Sequence, residues 1–299
     1  MTALRISLLG KPEAYLGPIA VDQLDGSRVE ELFYYLLLHR EQPRPRDVLA
    51  ELFWPDQSSD RARSCLRKVL WQLQSTLDLL SDDAAEPLFL VDNNWVQVNP
   101  DYSLWLDVQV LEQVFLQVRD ISPSDLSAEQ TDSMKQAVHL YRGDLLDGWY
   151  VDWCFYERER FQYMYLTLLD KLMGYCEALR LYEQGAVYGV TVLRYDRAHE
   201  RTHRQLMRIF YLANDRTQAL RQYERCVAAL REELDVAPSK LTRALYEQIK
   251  ADSLDPRTEM PMRDSIQQEI DMALAQLRQL NRQLEIEIRG VQQFFRQQM

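Results

Sequence analysis

The sequence predicts a mainly α-helical chain that opens with a small α+β unit and ends in one long helix. Three observations carry that reading. Apolar residues recur at helical spacing from about residue 104 onward, short alternating apolar runs are confined to the first hundred residues, and only 9 Gly and 11 Pro interrupt 299 residues. At this length, 46% hydrophobic and 27% charged residues support two or three domains with substantial cores.

Residues 4–9 (LRISLL) and 15–21 (YLGPIAV) read as short strands, the second punctuated by Gly17-Pro18. Residues 27–40 read as a helix, with Ser27 and Glu30 spaced as a capping box and Pro43 and Pro45 ending it. A second helix covers 46–53 and stops before Pro55. A third follows Ser58-Ser59-Asp60, which supply a cap and an acidic first turn. Its buried stripe is Leu66, Val69, Leu70, Leu73 and Leu77. Residues 88–100 read as a β-hairpin turning at Asp92-Asn93-Asn94, with Phe89 and Val91 on one strand and Val96 and Val98 on the other. Strands, three helices and a hairpin, in that order, make a winged helix, a variant of the helix-turn-helix whose third helix enters the DNA major groove.

From Leu104 the pattern turns entirely helical, with a further capping box at Ser127 and Gln130. Residues 185–196 and 218–229 overlay at a spacing of 33, close to the period of tetratricopeptide-like helical hairpins. A breaker cluster at 252–256 precedes Pro261, which opens the last helix. There Ile266, Ile270, Ala273, Leu277, Leu280, Leu284, Val291 and Phe294 follow an a/d heptad pattern with only Glu287 out of place. That pattern suits pairing with a second copy as a homodimeric coiled coil or, as the alternative, folding back on the repeats. The expected domains are therefore 1–103, a winged helix, 104–252, a tetratricopeptide-like helical domain, and 253–299, a linker and coiled-coil-like helix.

Other classes are set aside by what the residues lack or contradict. No apolar run is long enough to cross a bilayer and no leader pattern opens the chain, so the expected location is cytoplasmic, away from membranes. Cys65, Cys154, Cys176 and Cys226 are scattered without a C-x-x-C pair, as expected of reduced packing thiols. His199-Glu200-Arg201-Thr202-His203 fits the H-E-x-x-H of zinc peptidases. Arg201, Arg204 and Arg208 oppose a dication there, and the other histidines, His39 and His139, are distant in sequence. That stretch therefore reads as a partly exposed repeat helix. Trp149, Tyr150, Trp153, Phe155, Tyr156, Phe161, Tyr163 and Tyr165 read as core aromatics rather than a ligand cage, with Asp152, Glu157 and Glu159 interleaved. No phosphate loop, nucleophile elbow or dinucleotide fingerprint is present, so neither enzyme activity nor a cofactor is expected.

The net charge of −11 does not favour nucleic acid in bulk, but the distribution matters more than the sum. Residues 1–105 hold 10 basic and 16 acidic side chains, yet Arg61 to Leu77 holds four basic ones and no acidic one. With the apolar stripe inward, Asp60, Ser64, Arg67, Lys68, Trp71 and Ser75 face outward, flanked by Arg61, Arg63, Gln72 and Gln74. Arg67 suits guanine edges, Arg61, Arg63 and Lys68 suit phosphates, and Gln72 suits adenine. Trp71 suits a thymine methyl, a sugar or a protein partner, while Asn93 and Asn94 would serve a wing in the minor groove. The expected partner is double-stranded DNA. The alternative is a protein-interaction scaffold built on the same surfaces.

The assembled pieces resemble a known family. LRISLLGKPEAYL, the helix-turn-helix and LRKVLWQL resemble the DNA-binding domain of the antibiotic-regulatory-protein (SARP) family of bacterial activators. RGDLLDGWYVDWCFYERERF looks like the start of that family's bacterial transcriptional activator domain, and HRQLMRIFYLANDRTQALRQYERCVAALREELDVAPSKLTRALYEQI looks like its end. The resemblance spans roughly residues 4–250. It implies a winged helix fused to tetratricopeptide-like helices, binding of direct repeats near promoters, and contact with RNA polymerase. The chain departs from the family at Trp71-Gln72-Leu73-Gln74, where small polar and basic residues are usual.

Overall fold

The computed structural model describes residues 4–20, 27–78 and 87–254. The chain begins with β1 (Leu4–Ser7), β2 (Glu13–Leu16) and β3 (Ile19–Ala20). Leu4 and Ile6 of β1 are buried while Arg5 between them is exposed, the period-2 pattern of a half-buried strand. β1 and β2 pair antiparallel with Leu4 opposite Leu16, and Gly17 (φ 59) supplies the left-handed residue of the tight turn into β3. A further strand, β7 (Leu104–Leu106), lies parallel to β1 and completes the order β3-β2-β1-β7. The sequence pattern was expected to be entirely helical from Leu104. Three residues ending in a helix start carry no strand period, and β1 alone recruits them into the sheet.

Between β3 and β7 lies the winged helix: α1 (Ser27–Leu38), β4 (Arg44–Pro45), α2 (Arg46–Phe53), α3 (Ser59–Asp78), β5 (Phe89–Val91) and β6 (Trp95–Val98). β4 was not legible in sequence, because a two-residue strand ending in proline carries no periodicity. It pairs with β6 at the edge of a sheet ordered β4-β6-β5, where a proline is tolerated. The hairpin forms as expected, with Phe89, Val96 and Val98 buried and Val91, next to the turn, exposed. α1 begins at Ser27 itself, and every residue from Glu31 to Leu38 is buried. A helix apolar on all sides must be covered on all sides. Phe33 meets Phe89 of the wing sheet, while Tyr34 and Tyr35 meet Trp149 and Trp153 of the following domain edge-on, with centroids 5.5 and 5.3 Å apart.

The helical region comprises α4 (Asp107–Val118), a 3₁₀ turn (Pro123–Asp125), α5 (Ala128–Leu140), α6 (Asp152–Ala178), α7 (Tyr182–Tyr195), α8 (Glu200–Leu212), α9 (Arg216–Leu234) and α10 (Lys240–Lys250). The Ser127/Gln130 capping box forms with both of its hydrogen bonds. α6 to α9 stack as successive antiparallel neighbours, and α7 and α9 begin 34 residues apart, at 182 and 216, as hairpin repeats do. Gly185 and Gly189 let α7 approach α6 and α8 closely. A Cβ on Gly189 would sit 2.7 Å from Met173 Cε and 2.9 Å from Leu206 Cδ2. Overpacking there should outweigh the helix propensity gained, so Gly189→Ala is expected to lose about 1 kcal/mol. A thermal melt at or above that of the wild type would contradict this packing.

The two regions share one core, and residues through Thr242 form one compact unit. The chain leaving β1 is held by the helical region. Asp107, 1% exposed, accepts hydrogen bonds from the amides of Leu8 (2.8 Å to either oxygen), Leu9 (2.9 Å) and Val108 (2.7 Å). Beyond it, Leu8 and Leu9 accept from the amides of Leu146 and Arg142, and the Gly10 amide donates to Asp144. Arg40, in the turn after α1, and Arg160 of α6 both grip Glu112 of α4, at 2.6 and 2.7 Å, and Trp153 Nε1 donates to Glu31 at 3.1 Å.

His39 lies within this joint, edge-on to Tyr35 with ring centroids 4.4 Å apart. Burial, with Arg44 and Arg160 nearby, pushes its pKa down to about 3. The folded value lies below the unfolded one, so this contribution is complete above about pH 6.5 and is lost as pH falls towards the folded value. Stability should fall by about 2 kcal/mol between pH 6.5 and 5 through this group alone. Denaturant titrations should show a shallower fall in His39→Gln, and equal falls would contradict the assignment.

Candidate nucleic-acid interface

α2 and α3 form the helix-turn-helix, and the burial of α3 follows the expected stripe through Leu73, while Leu77 at its end is only partly buried. Ala62, Leu66, Val69, Leu70 and Leu73 are buried, which turns Arg61, Arg63, Ser64, Arg67, Lys68 and Trp71 to solvent. These outward residues recur every three or four positions and make one basic stripe, about 15 Å long from Arg61 to Trp71. Gln72, Gln74 and Ser75 are only half-exposed, so the free stripe ends at Trp71.

Arg63 is not a free cation. Its guanidinium holds Asp47 of α2 through two hydrogen bonds, Nε to Oδ1 at 2.8 Å and Nη2 to Oδ2 at 3.0 Å. That pair braces α3 against α2, and Arg63 could reach a phosphate only through its remaining N–H groups. A cleft of about 190 Å³ between the same helices, lined by Asp47, Trp54, Ser59 and Arg63 among others, is smaller than the ~300 Å³ of small-molecule sites.

The wing is anchored by a residue that sequence reading missed. The Arg46 amide donates to the Asn94 carbonyl at 2.8 Å, and its Nη1 donates to the Asp92 carbonyl at 3.1 Å. The Asn94 amide in turn donates to Asp92 Oδ1 at 3.2 Å. Asn93 and Asn94 are exposed at the tip of this fixed turn, beside the α2 N-terminus. Nothing in the spacing of Arg46 and Asp92 announces this contact, since β4 brings them together from 46 positions apart.

The histidines of the HERTH stretch are otherwise engaged. His199 is the N-cap residue of α8, and its Nδ1 meets Thr202 Oγ1 at 2.7 Å. His203 Nε2 donates to the Arg197 carbonyl at 2.9 Å, which leaves Nδ1 to accept from Gln222 Nε2 at 2.8 Å. Burial lowers the pKa of His203, consistent with that neutral tautomer. Glu200 accepts from the Ser239 amide and the Thr242 hydroxyl, tying α8 to the segment entering α10. The helix was expected to be partly exposed. Instead every residue from Thr202 to Ile209 is buried, with Arg208 paired to Glu177 at 2.9 Å. Among the described residues no group of three His, Cys, Asp or Glu gathers as metal ligands would.

The aromatic stretch divides. Phe161 and Tyr165 are buried, with Tyr165 stacked on Tyr141, and Trp149 and Trp153 fill the joint with α1. Tyr150, Phe155 and Tyr156 do not join that core, being 83%, 48% and 59% exposed. Tyr150 precedes α6, and Phe155 and Tyr156 lie in its first turns on the side away from buried Cys154, Glu157 and Phe161.

A winged helix with an exposed basic third helix, sharing a core with stacked helical hairpins, is the architecture of a transcription regulator. The comparisons narrow it. Residues 106–250 match the bacterial transcriptional activator domain family, so the helical region is such a domain. Among solved structures, EmbR of Mycobacterium tuberculosis in complex with a low-affinity phosphopeptide has a similar fold. Its TM-score is 0.61 at 19% identity, over 86% of this chain and 67% of that one. No curated protein matches the sequence. Domain and fold together support a transcriptional activator of the SARP kind, as the sequence resemblance implied. No helix among the described residues is long and apolar enough to cross a membrane.

Proposed function

We propose that this protein binds specific DNA sequences through α3, recognises repeated promoter sites as a dimer, and activates transcription by contacting RNA polymerase. The observation that carries the reading is the basic stripe: the carboxylate-free stretch of an acidic N-terminal region lies on the exposed face of the recognition helix. Arg67 would read a guanine edge, Arg61 and Lys68 would hold phosphates, and Ser64 would contact the groove edge, with the half-exposed Gln72 and Ser75 at its margin. Asn93 and Asn94 would meet the backbone or minor groove from the wing. The domain division at 103 and 252 assigns DNA reading to the first segment and polymerase contact to the second.

Dimerisation rests on the apolar repeat of Ile266, Ile270, Leu277, Leu280, Leu284, Val291 and Phe294, which lies outside the described residues. Two linked readers on paired half-sites gain effective concentration over one. The protein would act in the cytoplasm, without a cofactor or catalysis. The reading is tested by selecting bound fragments from genomic DNA, then transcribing them with RNA polymerase in vitro. Enrichment of a repeated motif and more transcript from templates carrying it are expected. A well-folded protein that enriches no motif would favour the second reading, a protein-interaction scaffold. The exposure of Trp71 is the observation in its favour.

A further inference from the structure

Of the six tryptophans, Trp71 alone is exposed, with 68% of its surface free; the other five are half-buried. It lies one turn beyond Arg67 and three positions beyond Lys68, at the end of the basic stripe. The buried neighbours Leu70 and Leu73 hold the helix from its other side, so Trp71 supports none of the core itself. A large apolar ring among cations, with no carboxylate on the helix from Arg61 to Leu77, is complementary to an anionic partner that offers an apolar edge. In duplex DNA that edge is the thymine 5-methyl group, presented only in the major groove.

Resting on the DNA-binding reading above, we propose that Trp71 is the apolar reader of this surface. It packs on the 5-methyl group of a thymine in the major groove, beside the guanine contacted by Arg67. One turn of α3 advances about 5.4 Å, so the thymine lies within about two base pairs of that guanine. The expected target therefore carries G and T at that separation.

Uracil in place of thymine removes this methyl and leaves the base pair intact. In the enriched motif, each thymine is replaced singly by uracil, and binding is titrated with wild type and Trp71→Ala. Wild type should lose about fourfold in affinity at one thymine near the guanine, the worth of one methyl-sized group. Trp71→Ala should bind more weakly and lose nothing further at that position, with an unchanged melting temperature. The inference is overturned if uracil is tolerated everywhere, if Trp71→Ala shows the same uracil penalty, or if the motif has no thymine within reach. In those cases DNA reading itself stands, and Trp71 serves a protein partner. A folded wild type that retains no specific DNA overturns the DNA reading and this inference together.

Discussion

Replacing Arg67 and Lys68 together by alanine is expected to weaken specific DNA binding about a hundredfold without lowering the melting temperature. A bidentate arginine–guanine contact contributes about 1–3 kcal/mol, and a lysine–phosphate contact adds a sequence-independent share. Together they come to about 3 kcal/mol, or about two decades in affinity. Both side chains are exposed and lie outside the apolar stripe of α3, so folding should not depend on them. Titrations at two salt concentrations separate the two parts. Loss of Lys68 should flatten the dependence of log affinity on log salt by about one unit, and loss of Arg67 should relax the base preference at one position. Unchanged affinity in the double variant would place the interface elsewhere.

The second large effect concerns the joint rather than the surface. Asp107→Ala is expected to destabilise the protein by about 3 kcal/mol. Its carboxylate is the acceptor for three buried amides, those of Leu8, Leu9 and Val108, and each amide left without a partner costs about 1–3 kcal/mol. Part of that is offset, because burial raises the Asp107 pKa despite these donors, and that desolvation cost disappears with the side chain. Asp107→Asn should fall between the two proteins, since an amide group offers one acceptor oxygen where the carboxylate offers two. Chemical denaturation measures all three. A loss under about 1 kcal/mol in Asp107→Ala would show that the N-terminal strand is held by β7 pairing and apolar packing instead.

How much of this was legible in the sequence follows from the range of the interactions. The burial of Leu66, Val69, Leu70 and Leu73 and the outward turn of Arg67, Lys68 and Trp71 come from a local 100° period, and they appear as expected. The Ser127/Gln130 capping box is likewise written within four residues. The Asp107 joint is not, because its carboxylate and the Leu8 amide are 99 positions apart. Nor is the pairing of Arg63 with Asp47, which removes one expected phosphate contact from free availability. β4 and β7 escaped notice for a related reason: strands of two and three residues have no period, and only their partners β6 and β1 define them. The error at α8 has a different origin. Its histidines and arginines read as surface residues, yet Arg208 is matched by Glu177 and His203 by Gln222 and the Arg197 carbonyl, so the polar groups are satisfied inside.

The central claim is that α3 reads bases from the major groove through Arg67. Methylation interference on the enriched fragment tests it most directly, because dimethyl sulfate modifies guanine N7 in the major groove and adenine N3 in the minor groove. The expected result is that N7 methylation at one guanine per half-site blocks the wild type, while Arg67→Ala is indifferent to it. Interference confined to adenine N3, or at guanines to which Arg67→Ala is equally sensitive, would contradict it.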